Sequence, residues 1–439
     1  MAFITDKQTT EELSLLNRYQ PGSVFSLFNK TVTRGGTRLL EHMLQRPMTD
    51  AEKINSRSAI FRWFQQKAVA FPLRAEEADA FVDWWDGPAA KTPVGGMLSL
   101  LKKKTLAIAV RDERYQRHAE GLKAAAAILR KLDEFVRALA EKGEEHPYRD
   151  KIDRLQTLLA DRRLEKFRSA QFSFRGMAYY THLLRNTLHK QVEEVIQIIE
   201  ELDVYIAVSG VARARGFSYA DALALVYGVE NVLYIDKLVH PALTGAVGND
   251  LRLDIRRNLL FLTGANMAGK STLMKAVGIA IYLAHAGFPV AAAAMTFSVK
   301  DGLFTSINVP DNIHLGYSHF YAEVLRVKQA AELVAQKRNV MVMFDELFKG
   351  TNVKDAYEGT LEVTRAFAGH SDCLFIISTH IIEVGEALKG MDNIRFGYMP
   401  TELIDGAPQY PYTIREGITE DRQGMMIIRG EGVLELLRG

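Results

Sequence analysis

The sequence predicts a mainly helical region over residues 1–227, followed by an α/β region with a central, largely parallel sheet over residues 228–439. Three observations carry that expectation. Apolar residues recur at helical spacing through long parts of the first region. The second region holds three apolar runs of strand length, 259–263, 340–344 and 373–377, each ending in polar residues, as strands covered on both faces do. Between the first run and a helix-like run from Lys270 lies Gly264-Ala265-Asn266-Met267-Ala268-Gly269-Lys270-Ser271-Thr272.

Within the helical region, Leu39, Leu40, Met43 and Leu44 fit one face of an amphipathic helix. Gly87-Pro88 and Gly95-Gly96 suggest loops between helical pieces. Residues 116–142 are rich in Ala, Leu, Arg and Lys and contain no Pro. Residues 178–214 read as one helix whose apolar stripe is Val192, Val195, Ile196, Ile199, Leu202, Ile206 and Val208. At 1.5 Å per residue that arm would be on the order of 50 Å long. Residues 216–221 mark its exit, and the α/β region opens near Gly228 with a small strand layer around 231–238. The longest apolar stretch, 276–294, contains His285 and Pro289 and reads as a buried helix and the next strand, not a membrane span.

The glycine-bounded loop has the spacing Gly, four residues, Gly-Lys-Ser, and each position has a chemical reason. Gly264 and Gly269 let the backbone turn so that its N–H groups surround phosphates. Lys270 would neutralise the β- and γ-phosphates of a nucleoside triphosphate, and Ser271 would ligate Mg²⁺ through its hydroxyl. The helix that follows adds a favourable dipole for anions. Downstream, the apolar run 340–344 leads into Asp345-Glu346. Asp345 would hold Mg²⁺, directly or through water, and Glu346 would orient or deprotonate the attacking water. The run 373–377 ends in Ser378-Thr379-His380, which brings His380 near the γ-phosphate if the strands are parallel neighbours.

With 439 residues and 48% hydrophobic content, the chain can bury substantial cores and form two or three domains. Its one cysteine, Cys373, lies in an expected core strand, so no intramolecular disulfide can form, which suits a reducing cytosol. The start lacks the basic and long apolar regions of a secretory signal, and the expected localisation is cytoplasmic. The net charge of +2 hides a basic excess over residues 101–190. Lys102, Lys103, Lys104, Arg111, Arg114, Arg117, Arg162, Arg163, Lys166 and Arg168 lie there, with Tyr115 and Phe167 interleaved. Such a surface can bind nucleic-acid backbone without sequence preference, although many solvated helices carry similar charge. No Cys/His cluster has metal-ligand spacing, and no internal repeat is visible.

The Asn266-Met267 pair inside the loop resembles the MutS family of DNA mismatch-repair ATPases. Other family-like segments follow in order: His240-Pro241 and Asn249-Asp250 before the loop, then Phe304-Thr305, Asp311-Asn312, and Gly316-Tyr317-Ser318-His319-Phe320 with Glu323. Asp345-Glu346-Leu347 with Gly350-Thr351 and Ser378-Thr379-His380 complete the set. The run from Ser26 to Leu40, with Arg46-Pro47 and Ile54-Asn55-Ser56-Arg57, is similar to the opening of the family's core or lever domain. Tyr412-Thr413-Ile414 and Gly417 resemble its final strand and turn.

The resemblance implies a helical lever domain over 1–227 and an ABC-type P-loop ATPase domain over 228–439. It implies ATP and Mg²⁺ as cofactors, with Gly264, Asn266, Met267, Gly269, Lys270, Ser271 and Thr272 around the nucleotide. Ser271 and Asp345 would hold the metal, and Glu346 and His380 would serve catalysis. Gly316 and Ser318 match the family's signature loop, so Ser318 would reach the γ-phosphate held by a second subunit and a homodimer becomes part of the mechanism. DNA is the implied ligand, and a MutL-type partner is compatible with it. Lever-like sequence is reached by about Leu16, so the expectation is a short member without the mismatch-reading and connector domains, without a full clamp, and without a nuclease tail. His319 stands where Thr is usual, and Phe348-Lys349 where Gly-Arg is usual. A rival of another class is a switch that uses ATP to recruit a protein without binding DNA. A transporter motor is disfavoured because residues 315–319 lack a Ser-Gly-Gly-Gln type of signature, and a scaffold without turnover is disfavoured by Lys270, Asp345 and Glu346.

Overall fold

A computed structural model of the chain describes residues 2–17, 20–87, 92–110, 113–140, 146–226, 228–265, 267–307, 319–404, 407–419 and 436–437. Two units emerge. One combines Met1–Phe28, Met43–Ser58 and Ala212–Gly439; the other combines Asn29–His42 and Ala59–Val211.

The helices up to residue 215 are α1 (Lys7–Glu12), α2 (Val24–Phe28), α3 (Arg34–Gln45), α4 (Ala51–Lys67), α5 (Ala75–Asp86) and α6 (Pro93–Val110). Then come α7 (Arg114–Ala140), α8 (Arg149–Leu159), α9 (Arg162–Arg168), α10 (Phe174–His182), a π-helical turn (Leu183–Thr187) and α11 (His189–Arg215). The stripe on α11 is buried at Val192, Val195, Ile199, Leu202 and Val208, joined by Ile198 and Tyr205, while Ile196 and Ile206 are half-buried. Its one buried carboxylate, Asp203, accepts hydrogen bonds from the backbone N–H groups of Val32 and Thr33 and from the Thr33 hydroxyl at 2.7–3.0 Å. Burial raises the Asp203 pKa, and those hydrogen bonds hold it back. They also set the start of α3 so close that a Cβ on Gly36 would lie 2.4 Å from the Asp203 carboxylate, which is why glycine stands there.

Two helical expectations need correction. The single helix over 178–214 is interrupted at Leu183–Thr187, where the Leu188 N–H donates to the Leu183 carbonyl at 2.8 Å. One extra residue in the turn swings Arg185 against the C-terminal end of α5, where it donates to the carbonyls of Trp84, Trp85 and Gly87 and satisfies helix-end acceptors. The remaining α11, 27 residues, is about 40 Å long. Gly95-Gly96 is not a loop either. It lies in the first turn of α6, opened by Thr92, whose hydroxyl accepts from the Gly95 N–H at 3.1 Å, and by Pro93 at the first helical position.

The remaining strands and helices are β1 (Asp221–Leu223), β2 (Leu233–Leu238), β3 (Asn249–Leu253), β4 (Leu259–Gly264), α12 (Lys270–Ala286), β5 (Ala294–Ser298) and β6 (Gly302–Ser306). They continue with α13 (His319–Ala335), β7 (Val340–Asp345), α14 (Val353–Ala368), β8 (Leu374–Ser378) and α15 (Ile382–Leu388). Last come β9 (Ile394–Met399), β10 (Glu402–Ile404), β11 (Ala407–Gln409) and β12 (Arg415–Glu416). The main sheet has the order β12-β9-β4-β8-β7-β6, parallel from β9 to β6, with β12 antiparallel at one edge. A second sheet, β1-β5-β2-β3, contains the strand layer expected around 231–238, and β10 pairs with β11. Every residue of β4 is buried, consistent with a parallel strand covered on both faces. Phe304, Phe344, Phe367 and Phe375 pack as successive ring pairs 5.2–6.5 Å apart in one core.

Helix α12 is buried on nearly all sides, which explains the apolar run 276–294. Among the described residues no helix is long and apolar enough to cross a membrane. The polar exceptions are satisfied. His285 shares a hydrogen bond of 2.7 Å between Nδ1 and the Met48 carbonyl and accepts from the Lys300 N–H at Nε2 (3.3 Å), so one neutral tautomer fits both. Burial pushes its pKa down to about 3. Lys300, fully buried, donates to the side-chain carbonyl of Asn231, and burial pushes its pKa down to about 7, with Cys373 opposing the shift. Cys373 is buried as expected and donates to the Arg338 carbonyl at 3.1 Å.

Lys300 ties stability to pH. Between pH 7 and 10.5 the unfolded chain holds a proton at this site that the folded chain has lost, so stability rises with pH across the window. Urea midpoints measured from pH 6.5 to 10.5 should therefore climb less steeply for Lys300→Met than for the parent, and parallel curves would show that Lys300 does not titrate there.

Candidate functional site

The parallel register determines what meets at the top of the main sheet. Leu262 of β4 pairs with Ser378 of β8, and Ser378 pairs with Asp345 of β7. The C-terminal ends of three strands therefore form one row, and the loop after β4 passes over it into α12. Gly264 has φ +134°, and a Cβ there would lie 2.6 Å from the Met399 carbonyl oxygen on β9. Gly269, with φ +101°, is the N-cap of α12 and supplies no side-chain cap. The first-turn N–H groups of a 17-residue helix thus face the row without a competing side-chain acceptor at the cap.

Lys270 is buried and its ammonium donates to the carbonyls of Gly264 (2.7 Å) and Ala265 (3.1 Å). Burial lowers its pKa, and the carboxylates of Glu346 and Asp345 oppose that shift. The Ser271 hydroxyl donates to one oxygen of Asp345 and the Ser378 hydroxyl to the other. This set of hard oxygens fits a Mg²⁺ ion, which takes one or two carboxylate or hydroxyl ligands and completes its shell with phosphate and water. Among the described residues no group of three or more His, Cys, Asp or Glu side chains is placed to hold a metal by itself.

Glu346 follows with φ +55°, a left-handed conformation for a non-glycine residue. Its N–H donates to the Ser378 carbonyl at 2.9 Å, which extends the sheet ladder by one step beyond β7. Its carboxylate lies 3.9 Å from Nδ1 of His380, the Glu largely buried and the His half exposed. Lys270, Ser271, Asp345, Glu346 and His380 are thus gathered at one end of one sheet. Met267 and Thr272 are exposed beside them, whereas Asn266, Gly316 and Ser318 lie outside the described residues. Phe348 is buried against Phe320 at 5.8 Å and against Gly359, so the departure at that position fills a core.

A cavity of about 490 Å³ opens beside the loop, lined by Leu238, His240, Val247, Met267, Gly269, Ser271, Thr272, Met399 and Tyr412 among others. Sequence reasoning missed Tyr412 as a wall of this cavity and Ser378 as the second hydroxyl on Asp345. The signal for Ser378 was present, because it ends an apolar run of the same length as its neighbours. Tyr412 stands out only within the segment that resembles the family's final strand, and nothing local points it to the cavity. The basic stretch is less free than its composition suggests. Lys102, Lys104, Arg162 and Lys166 are exposed, but Arg117 pairs with Glu113 (2.6 Å), Arg163 with Asp161 (2.7 Å) and the mostly buried Arg168 with Asp133 (2.8 Å). Phe167 is fully buried, and Arg111 lies outside the described residues.

This geometry defines a mixed α/β protein in which a glycine-bounded loop opens a helix beside carboxylates at the ends of parallel strands. Family models for MutS domain III and MutS domain V match residues 8–209 and 260–435. The chain belongs to the MutS family, as the loop and its companion segments suggested. It is 27% identical over 261 residues to DNA mismatch repair protein MutS 1 of Halobacterium salinarum, covering 56% of this chain and 29% of that protein. Against DNA mismatch repair protein MutS of Geobacillus thermodenitrificans it is 30% identical over 259 residues, or 56% and 28% of the two chains. The corresponding protein of Bacillus licheniformis is 24% identical over 240 residues, 54% and 27%. The matched stretch thus spans less than a third of each of these relatives.

The tight approach at Gly264 gives a stability test. Gly264→Ala should cost about 3 kcal/mol, since it combines a clash with Met399 and an unfavourable φ, and urea unfolding measures it. A loss below about 0.5 kcal/mol would mean that the loop does not require glycine there.

Proposed function

We propose that the chain is an ATP-dependent switch of MutS type that engages mismatched, branched or distorted DNA in repair or recombination. In this reading residues 228–439 form an ABC-type ATPase domain and residues 1–227 its lever, with residues 1–28, 43–58 and 212–227 packed into the sheet-bearing unit. The observation that carries the reading is the union of Lys270 and Ser271, at the start of α12, with Asp345, Glu346 and His380 at the ends of β7 and β8. Relatives named DNA mismatch repair proteins support the task.

Each residue has a role consistent with its position. The loop N–H groups and Lys270 bind the β- and γ-phosphates of ATP, and the cavity beside Tyr412 receives the rest of the nucleotide. Ser271 and Asp345 hold Mg²⁺, which supplies charge neutralisation to the phosphates when bound. Glu346, aimed by its left-handed backbone, positions the attacking water and takes its proton; His380 orients Glu346 and contacts the γ-phosphate. Gly316 and Ser318 of a second copy complete the site, so the working form is a homodimer. ATP binding closes the pair and hydrolysis releases it, which moves the levers. Lys102, Lys104, Arg162 and Lys166 supply backbone contacts to DNA. A cytoplasmic location and a MutL-type partner complete this reading.

Glu346→Gln should bind ATP normally while turnover falls by about 10²-fold or more, as loss of a general base does, and an unchanged rate in a phosphate-release assay would remove Glu346 from its role. DNA is tested by gel shift with a four-way junction, a mismatched duplex and a perfect duplex at several salt concentrations. Affinity should fall steeply with salt and be weakest for perfect duplex, with ATP turnover stimulated by the tighter ligands. Absence of binding to all three at low salt would leave a switch that recruits protein instead.

A further inference from the structure

The outer edge of the main sheet, β6, is covered by the chain's amino-terminal residues. The Ile4 N–H donates to the Asp301 carbonyl at 2.8 Å and the Leu303 N–H to the Ile4 carbonyl at 2.9 Å, which adds one parallel bridge beside Gly302. Glycine is required there: a Cβ would lie 2.4 Å from the Ile4 carbonyl oxygen. Asp6 then caps α1, accepting from the Thr9 N–H at 2.8 Å.

Beyond that bridge, α1 reaches both sides of residues 308–318. On the entry side, Glu12 accepts from the Thr305 hydroxyl (2.5 Å) and from the N–H of Ile307 (3.0 Å), and its other oxygen accepts from Gln8 (2.8 Å). Thr9, fully buried, accepts from the Thr305 N–H at 3.1 Å. On the exit side, Arg326 of α13 is 5% exposed and its guanidinium sits 3.7 Å from the Phe304 ring centroid. It pairs with Asp6, donates to Thr9 at 3.2 Å, and donates to the Thr305 carbonyl through Nε at 3.1 Å. Both flanks are therefore held by one short segment through charge-assisted hydrogen bonds.

We propose that residues 4–12 are a positioning element for the stretch that carries Gly316 and Ser318, with Glu12 fixing its entry and Arg326, gripped by Asp6 and Thr9, fixing its exit. This rests on the reading that Ser318 serves the nucleotide of a second copy. These bonds fix residues 305–307 and Arg326, the points from which the chain leaves β6 and continues along α13. Glu12 and Thr9 are consequently positioning residues, and they act only through the side of the protomer that is lent to its partner. A protomer with a damaged segment keeps its own Lys270 and Asp345 and remains able to use a partner's Ser318.

Mixing variants in equal amounts, with time for subunit exchange, tests this. Lys270→Ala and Ser318→Ala should each be nearly inactive alone, and together they should recover about a quarter of parental ATP turnover, because half the dimers carry one intact site of two. Glu12→Ala should behave as Ser318→Ala does: low turnover alone, unchanged affinity for a non-hydrolysable ATP analogue, recovery with Lys270→Ala, and no recovery with Ser318→Ala. Recovery with Lys270→Ala itself demonstrates that Glu12→Ala folds. Thr9→Val, which keeps the shape and removes the hydroxyl, should sort the same way, and Glu12→Gln, which keeps an acceptor oxygen, should restore turnover. If Lys270→Ala and Ser318→Ala fail to complement, the two-copy reading falls and takes the proposal with it. If they complement but both Glu12→Ala and Thr9→Val recover with Ser318→Ala, or turn over ATP at the parental rate, the proposal alone falls.

Discussion

The candidate site depends on a single carboxylate. Asp345 accepts one hydrogen bond from Ser271 and another from Ser378, and by doing so it joins three segments that are far apart in the chain. Those bonds are possible only because β4, β8 and β7 are adjacent and parallel, with Leu262, Ser378 and Asp345 in one row. A shift of one residue in any of the three strands would turn these side chains to the other face. The strands are apolar on both faces, and the close packing of Phe261, Phe344 and Phe375 in one core accompanies the register that forms the polar row.

The same row accounts for the strained backbone after it. Glu346 leaves the strand with φ +55° while its N–H still bonds to the Ser378 carbonyl, and Phe348 repeats the left-handed conformation at φ +63°. Such conformations cost on the order of 1–3 kcal/mol each and persist only where neighbours over-determine them. Phe348 is held by its burial against Phe320 and Gly359, and Glu346 by the extended ladder and by its position near His380. Core packing on one side of the turn thereby supports the aim of a carboxylate on the other.

Much of this was legible because it is local. The loop declares itself through glycines that need positive φ, its helix begins at Lys270 as read, and the three apolar runs became β4, β7 and β8 within a residue. What escaped is non-local or hidden by a preserved pattern. Thr9 meets Thr305 across 296 positions, and no periodicity in residues 4–12 announces a partner so distant. The π turn at Leu183–Thr187 keeps apolar residues at nearly helical spacing, so the pattern cannot distinguish it from an unbroken helix. Gly95-Gly96 reads as a breaker although Thr92-Pro93 just before it is a start signal, and the capping bond offsets part of the propensity cost of two glycines in a first turn. Composition counted the net basic excess of residues 101–190, but not the pairing of Arg117, Arg163 and Arg168 with acids of the same stretch.

Two buried lysines show why burial alone does not mark a site. Lys300 is the more deeply buried, and its neighbours are the neutral Asn231 side chain and the Cys373 thiol, so little opposes the loss of its proton as burial pushes its pKa to about 7. Lys270 is also shielded from water, yet it is ringed by the carbonyls of Gly264 and Ala265 and faces the carboxylates of Glu346 and Asp345, both of which favour the ammonium. A cation is useful to an anionic ligand only if the protein keeps it charged out of water. Fixed negative partners favour the charged form of Lys270 against the burial that disfavours it. The lysine, the helix N-terminus and the Ser271–Asp345 pair are therefore interdependent: each offsets an electrostatic cost that the others would impose alone.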